Sequence, residues 1–210
     1  MTEAVTEIAR FMRMAPVIPV ITIARVEDAA PLARVLVAGG LPVLEVTLRT
    51  PVALDAIRAM CAVDGAVVGA GTVLNSKDVD AAFAAGAQFF VSPGLSEAVI
   101  DQARLVGAPL LPGVATASEL MRGLHAGLDH FKFFPAEQAG GVAMLKALGG
   151  PFASCRFCPT GGVTVASAPS YLALQNVLCV GGTWVAPVDL VTAGAWDEIR
   201  SRAQKAAALR

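Results

Sequence analysis

PVIPVITI (residues 16–23) is the stretch on which the reading of the fold turns. It is short and almost wholly apolar, with no polar alternation before Thr22. A run of that kind reads as a strand covered on both faces, as in a parallel sheet, rather than a strand with one wet face. Seven more runs follow: PVLEVT (42–47), AVVGAG (66–71), QFFVS (88–92), APLLPGV (108–114), HFKFF (130–134), RFCPTGG (156–162) and VLCVGG (177–182). Helix-like stretches rich in Ala and Leu lie between them. VEDAAPLARVLVAGG (26–40) ends in glycine, a common helix stop. At Thr50-Pro51 the threonine is placed to cap a helix and the proline to occupy its first position. Thr116 and Glu119 have the spacing of a capping box, opening a helix to about residue 127. Residues 2–14 are expected to form an extra helix before the first strand, and AWDEIRSRAQKAAALR (195–210) an amphipathic closing helix.

Eight strands alternating with helices predict an α/β chain of the (β/α)8 TIM-barrel type with an extra N-terminal helix. A doubly wound open sheet shares the alternation, which by itself does not exclude it. No low-complexity linker or break in composition divides the chain, so residues 1–210 are expected to form a single domain.

Composition narrows the function classes. Apolar residues make up 55% of the 210, charged residues only 16%, and the formal net charge is −1 with no basic block. Nucleic acid and acidic membranes are therefore not expected as partners, whereas a small anionic ligand needs only a local site. No run reaches the roughly 18 apolar residues of a membrane span, and the N-terminal segment carries Glu3 and Glu7 without the apolar core of a secretory signal. Of the four cysteines, Cys155 and Cys158 form one C-x-x-C, with no second pair and with both histidines, His125 and His130, in another segment. Buried thiols explain that pattern better than a metal or redox site, and reduced thiols fit a cytoplasmic protein. Neither a metal nor a cofactor is expected.

In a barrel of this kind the chemistry lies at the C-terminal ends of the strands. The polar residues there are Glu45, Thr47, Arg49, Thr72, Ser92, Lys132, Thr160 and Thr183. Lys132 stands out: three of the four lysines lie in polar or helical surroundings, while this one interrupts an apolar strand. Burial disfavours the charged form of an amine, and a neutral amine can attack a ketone to form a Schiff base. Glu45, Thr47 and Arg49 share one face by the period of two, and that face must point into the barrel. Glu45 is a candidate general acid or base, and Arg49 can grip a carboxylate with two parallel N–H bonds. A structural Glu45–Arg49 pair, or a Lys132–Glu45 pair, fits the same residues. Two glycine pairs, Gly161-Gly162 and Gly181-Gly182, end the seventh and eighth runs, where barrels of this type bind phosphate. Tight turns alone would also use such pairs. GAGTVL (69–74) lacks the third glycine of a dinucleotide fingerprint.

Taken together, LEVTLRT (44–50), GAGTVLN (69–75), SPGL (92–95), FKFFPAE (131–137), FCPTGGV (157–163) and GGTW (181–184) resemble the 2-keto-3-deoxy-6-phosphogluconate (KDPG) aldolase family, class I aldolases of the Entner–Doudoroff pathway. The motifs run in order along nearly the whole chain. The resemblance implies reversible cleavage of that keto acid to pyruvate and D-glyceraldehyde 3-phosphate, with side activity on 2-keto-4-hydroxyglutarate (KHG), and a homotrimer. It implies that Lys132 forms the Schiff base and Glu45 moves protons. Arg49, Thr72 and Pro93 would hold the pyruvate carboxylate and Phe134 would line the site. Thr160 would meet a substrate hydroxyl, favouring the gluconate-derived substrate. Gly161, Gly162, Gly181, Gly182 and Thr183 would take the phosphate. The family commonly carries serine where this chain has Thr183, which keeps the hydroxyl and adds a methyl group. A phosphosugar isomerase or a metabolite-sensing barrel would share the phosphate loops, but neither needs a buried lysine.

Overall fold

The structure is a computed structural model and describes residues 3–209. Helix α1 (Glu3–Arg13) precedes the first strand, as expected. Strands β1 (Val17–Ile21), β2 (Val43–Thr47), β3 (Val67–Gly71) and β4 (Phe89–Val91) follow, separated by α2 (Ala29–Ala38), α3 (Ala53–Cys61) and α4 (Ser76–Ala84). Helix α5 (Glu97–Val106) leads to two short strands, β5 (Leu110–Leu111) and β6 (Gly113–Val114). Then come α6 (Ala117–His125), β7 (His130–Phe133), α7 (Gly141–Leu148), β8 (Arg156–Pro159), α8 (Ala168–Leu172), β9 (Val180–Gly182), α9 (Val188–Thr192) and α10 (Trp196–Ala207).

Every strand pairing is parallel, and the result is a curled α/β sheet. Its ladders form one run of six strands, β5-β4-β3-β2-β1-β9, and one of three, β6-β7-β8. Two interruptions separate them, where the sequence reading expected eight continuous strands. Pro112 divides the fifth apolar run, because proline has no N–H to give to a ladder. Between β8 and β9 only isolated bridges form, Phe157 with Val177 and Thr160 with Gly181.

The alternation of side chains makes two cores. Leu44, Val46, Val68, Phe90, Phe131 and Phe133 point toward the helices and join the larger cluster. Ile18, Val43, Phe89, Val91, Leu111 and Cys158 point to the other face of the sheet. There they meet Ile8, Phe11 and Met12 of α1, one apolar stripe at helical spacing. Phe11 and Phe89 pack with ring centroids 5.6 Å apart. Burying three large side chains of α1 contributes about 1.5–3 kcal/mol each, which seats the helix against the inward face of the sheet.

The capping box is present: Thr116 accepts the Glu119 N–H, and Glu119 accepts the N–H of Thr116. Thr50 does not cap its helix. Its hydroxyl donates to the Ile23 carbonyl at 2.7 Å, and α3 starts three residues later behind Val52. The competing acceptor on the neighbouring strand end takes the hydroxyl. Cys61, Cys155 and Cys158 are free thiols, and Cys155, Cys158 and Cys179 are buried. No helix among the described residues is long and apolar enough to cross a membrane.

Candidate functional site

Lys132 lies in β7 between Phe131 and Phe133, whose rings face the helices, so its own side chain faces the inner side of the sheet. Glu45 does the same in β2 between Leu44 and Val46. The two meet: Nζ of Lys132 donates to Oε1 of Glu45 at 3.0 Å, with side chains only 8% and 5% exposed. Both charges are thus out of water and answer each other, the arrangement that makes a buried ion tolerable. The alternative Glu45–Arg49 pair does not form. Arg49 is exposed beyond the end of β2 and has no ion-pair partner among the described residues.

The strand ends set the surroundings. Phe134 follows β7, and its ring centroid lies 5.3 Å from Nζ, a cation–π distance. The Phe134–Pro135 peptide is cis. Thr47 is fully buried but committed: its hydroxyl donates to the Ile21 carbonyl at 2.9 Å and lies 3.1 Å from the Thr22 hydroxyl, tying β2 to β1. The Leu48 N–H donates to Gly71 and the Val73 N–H to Val91, so the ends of β2, β3 and β4 lie side by side. That places Arg49, Thr72 and Pro93 on one arc of the rim. Thr72 has φ +59°, a left-handed conformation that is an outlier for a β-branched residue and stores about 1–3 kcal/mol. Ser92 is buried and spends its hydroxyl on the Gly94 carbonyl at 2.7 Å.

The opposite arc is made by the ends of β7, β8 and β9. Thr160 is 5% exposed, and its N–H donates to Phe133, which locks it beside the lysine strand. The turn after Phe134 is stitched to the turn after Thr160 by the Ala136 N–H to Thr160 and the Glu137 N–H to Gly161. Gly161 and Gly162 have φ +96° and +79°, conformations that favour glycine, and their N–H groups meet no backbone acceptor among the described residues. Gly181 and Gly182 are different: both are buried within β9. A methyl group on Gly181 would lie 2.2 Å from the Thr160 hydroxyl, and one on Gly182 would enter the Trp184 ring. The second pair therefore makes space for neighbours, while Thr183 beyond it is exposed. The Thr160–Gly181 bridge brings the two glycine pairs together.

Behind this arc the Tyr171 hydroxyl donates to Oε1 of Glu137 at 2.7 Å. Burial first, then that hydrogen bond and the carboxylate's charge, hold the phenol protonated far above its ordinary range.

Sequence reasoning missed the inward glycines Gly71 and Gly113. A methyl group on Gly71 would strike Glu45, and one on Gly113, which pairs with Lys132 in register, would strike the Pro93 carbonyl. Glycine at an inward position of a strand is the signal that marks such close approaches.

Comparison with known proteins gives the family. Residues 8–202 match the family model "Aldolase: KDPG and KHG aldolase". A 2-dehydro-3-deoxy-phosphogluconate aldolase of Zymomonas mobilis is 58% identical over 181 residues, 86% of this chain and 87% of that protein. The crystal structure of the Zymomonas mobilis ZM4 2-keto-3-deoxy-6-phosphogluconate aldolase with 3-phosphoglycerate superposes with TM-score 0.93 at 53% identity, covering 98% of this chain and 97% of that one. A Legionella pneumophila KDPG aldolase, with pyruvate captured as a covalent carbinolamine intermediate, superposes with TM-score 0.94 at 44% identity, covering 99% of both chains. With a family model spanning most of its length and relatives of this identity, the chain belongs to the KDPG and KHG aldolase family.

Proposed function

We propose that this protein is a class I aldolase that cleaves 2-keto-3-deoxy-6-phosphogluconate reversibly to pyruvate and D-glyceraldehyde 3-phosphate, with side activity on 2-keto-4-hydroxyglutarate. The observation that carries the reading is the buried Lys132 amine held 3.0 Å from the Glu45 carboxylate. The relatives named KDPG aldolase, one of them with a pyruvate carbinolamine, support it.

The chemistry follows from the residues. Nζ of Lys132 attacks the C2 ketone, and loss of water gives an iminium ion. Glu45, directly or through water, takes the proton of the C4 hydroxyl. The C3–C4 bond then breaks, its electron pair moves into the iminium, and the aldehyde leaves an enamine on Lys132. Protonation of C3 and hydrolysis of the iminium release pyruvate and restore the amine. Arg49, with Thr72 and Pro93, receives the carboxylate on one arc of the rim. Phe134 flanks the imine, and Thr160 bonds a substrate hydroxyl. The N–H groups of Gly161, Gly162, Gly182 and Thr183 cradle the phosphate, with Gly181 keeping Thr160 in place. No step calls for a metal or a cofactor.

The same reading takes the sheet as a closed eight-position (β/α)8 barrel of one domain, with β5 and β6 sharing the fifth position and α1 covering the N-terminal end. The β9–β1 pairing and the β8–β9 bridges support closure. A cytoplasmic homotrimer completes it, by analogy with the family.

Incubation with pyruvate and sodium borohydride, followed by peptide mapping, tests the function. A reduced pyruvyl adduct on Lys132 is expected. No adduct, or one on Lys77, Lys146 or Lys205 instead, refutes the mechanism.

A further inference from the structure

Gly71 closes β3 on the inward face, in register with Thr47 and diagonal to Glu45. Its φ is not positive, so the backbone itself would accept alanine. Space is what forbids it. A methyl group on Gly71 would sit 2.3 Å from Oε1, 2.7 Å from Cγ and 2.8 Å from Cδ of Glu45. The carboxylate therefore lies flat along the bare Cα. Among the described residues its one hydrogen bond comes from Lys132. Two restraints thus hold it: the ammonium draws one oxygen, and Gly71 lets the side chain lie close enough to be drawn. Thr47, the nearest inward side chain on the same strand, offers no third restraint, since its hydroxyl is spent on β1.

We infer that Gly71 is a positioning residue for proton transfer: its missing side chain is the seat that sets the Glu45 carboxylate beside the Lys132 amine. The inference rests on the aldolase reading. An added methyl group would intrude about 1 Å inside ordinary contact, and a displacement of that size at a reacting group slows turnover on the order of 100-fold. The amine itself is not displaced, because Lys132 comes from the other side of the site on β7.

The test is a pair of substitutions, Gly71→Ala alone and with Glu45→Asp, measured for kcat, for borohydride trapping of pyruvate and for urea midpoint. Gly71→Ala is expected to lose about 100-fold in kcat while Lys132 is still trapped. In the Glu45→Asp background the shorter side chain leaves room for the methyl group. There the same change is expected to lower kcat and the urea midpoint far less. An equal penalty in both backgrounds would show that glycine serves only the strand and would overturn the inference. So would a Gly71→Ala enzyme within twofold of the parent. If Gly71→Ala alone fails to fold, the comparison of Glu45→Asp with the double variant still decides. If the parent itself forms no pyruvate adduct, the aldolase reading falls and this inference with it.

Discussion

Replacing Lys132 by Met separates the burial of the ion pair from its chemistry. Methionine fills a similar volume with apolar atoms, so the strand keeps its packing. Glu45 is left with its side chain 5% exposed and its charged hydrogen-bond donor gone. Removing one partner of a buried pair destabilises by about 3–5 kcal/mol, where an exposed pair would lose at most about 1 kcal/mol. For a chain of this size the larger figure corresponds to a drop of roughly 10 °C in Tm. Urea unfolding at pH 7 measures it directly, provided the m-value is unchanged. Adding Glu45→Leu removes the stranded charge, and the double variant is expected to recover most of the loss. Neither variant cleaves substrate or traps pyruvate. A Lys132→Met protein that unfolds within 1 kcal/mol of the parent would refute the reasoning, since water would then be solvating Glu45 freely.

Two other substitutions probe features away from the pair. Thr72→Gly relieves a left-handed residue worth about 1–3 kcal/mol of strain; the variant is expected to be at least as stable in urea but to need more pyruvate for half-maximal trapping, and a variant less stable than the parent would deny the strain. Glu119 is pushed up by burial, but hydrogen bonds from the Ala115 N–H and from the Thr116 hydroxyl and N–H, with the Arg122 charge, outweigh it and lower its pKa. Its stabilisation is therefore present above the unfolded value of about 4.3 and lost as the pH falls through the depressed folded value. Glu119→Ala is expected to cost about 1 kcal/mol at pH 7 and nothing in strong acid, and a penalty independent of pH would exclude the ionised cap.

Lys132 was legible because a charge inside an apolar strand is costly and so informative. Glu45 was legible as a candidate with two partners in view, Arg49 on its own strand and Lys132 on another, and only the placing of β2 opposite β7 could select the lysine. Strand alternation came through because each run is buried on both faces. The break at Pro112 was visible in APLLPGV, since proline has no ladder donor, yet the apolar run was read as continuous. Thr50 was misread for lack of one fact, that the Ile23 carbonyl lies within reach of its hydroxyl. Helix α1 could be predicted, but what its stripe covers depends on residues from six different strands. Gly71 carried its meaning entirely in a neighbour's side chain.

Helix α1 has a kinetic consequence. Phe11 and Met12 pack against the inward face of the sheet, so on the proposed closed barrel α1 plugs one end and the amine is approached from the other. On the proposed chemistry the pyruvate half of the substrate is bonded to that amine at the bottom of a blind well, and the phosphorylated half lies above it at the opening. The aldehyde must depart before the pyruvate can, and in the direction of synthesis pyruvate must enter first. The covalent bond to Lys132 sets that order, and a helix that touches neither substrate leaves a single door through which both must pass.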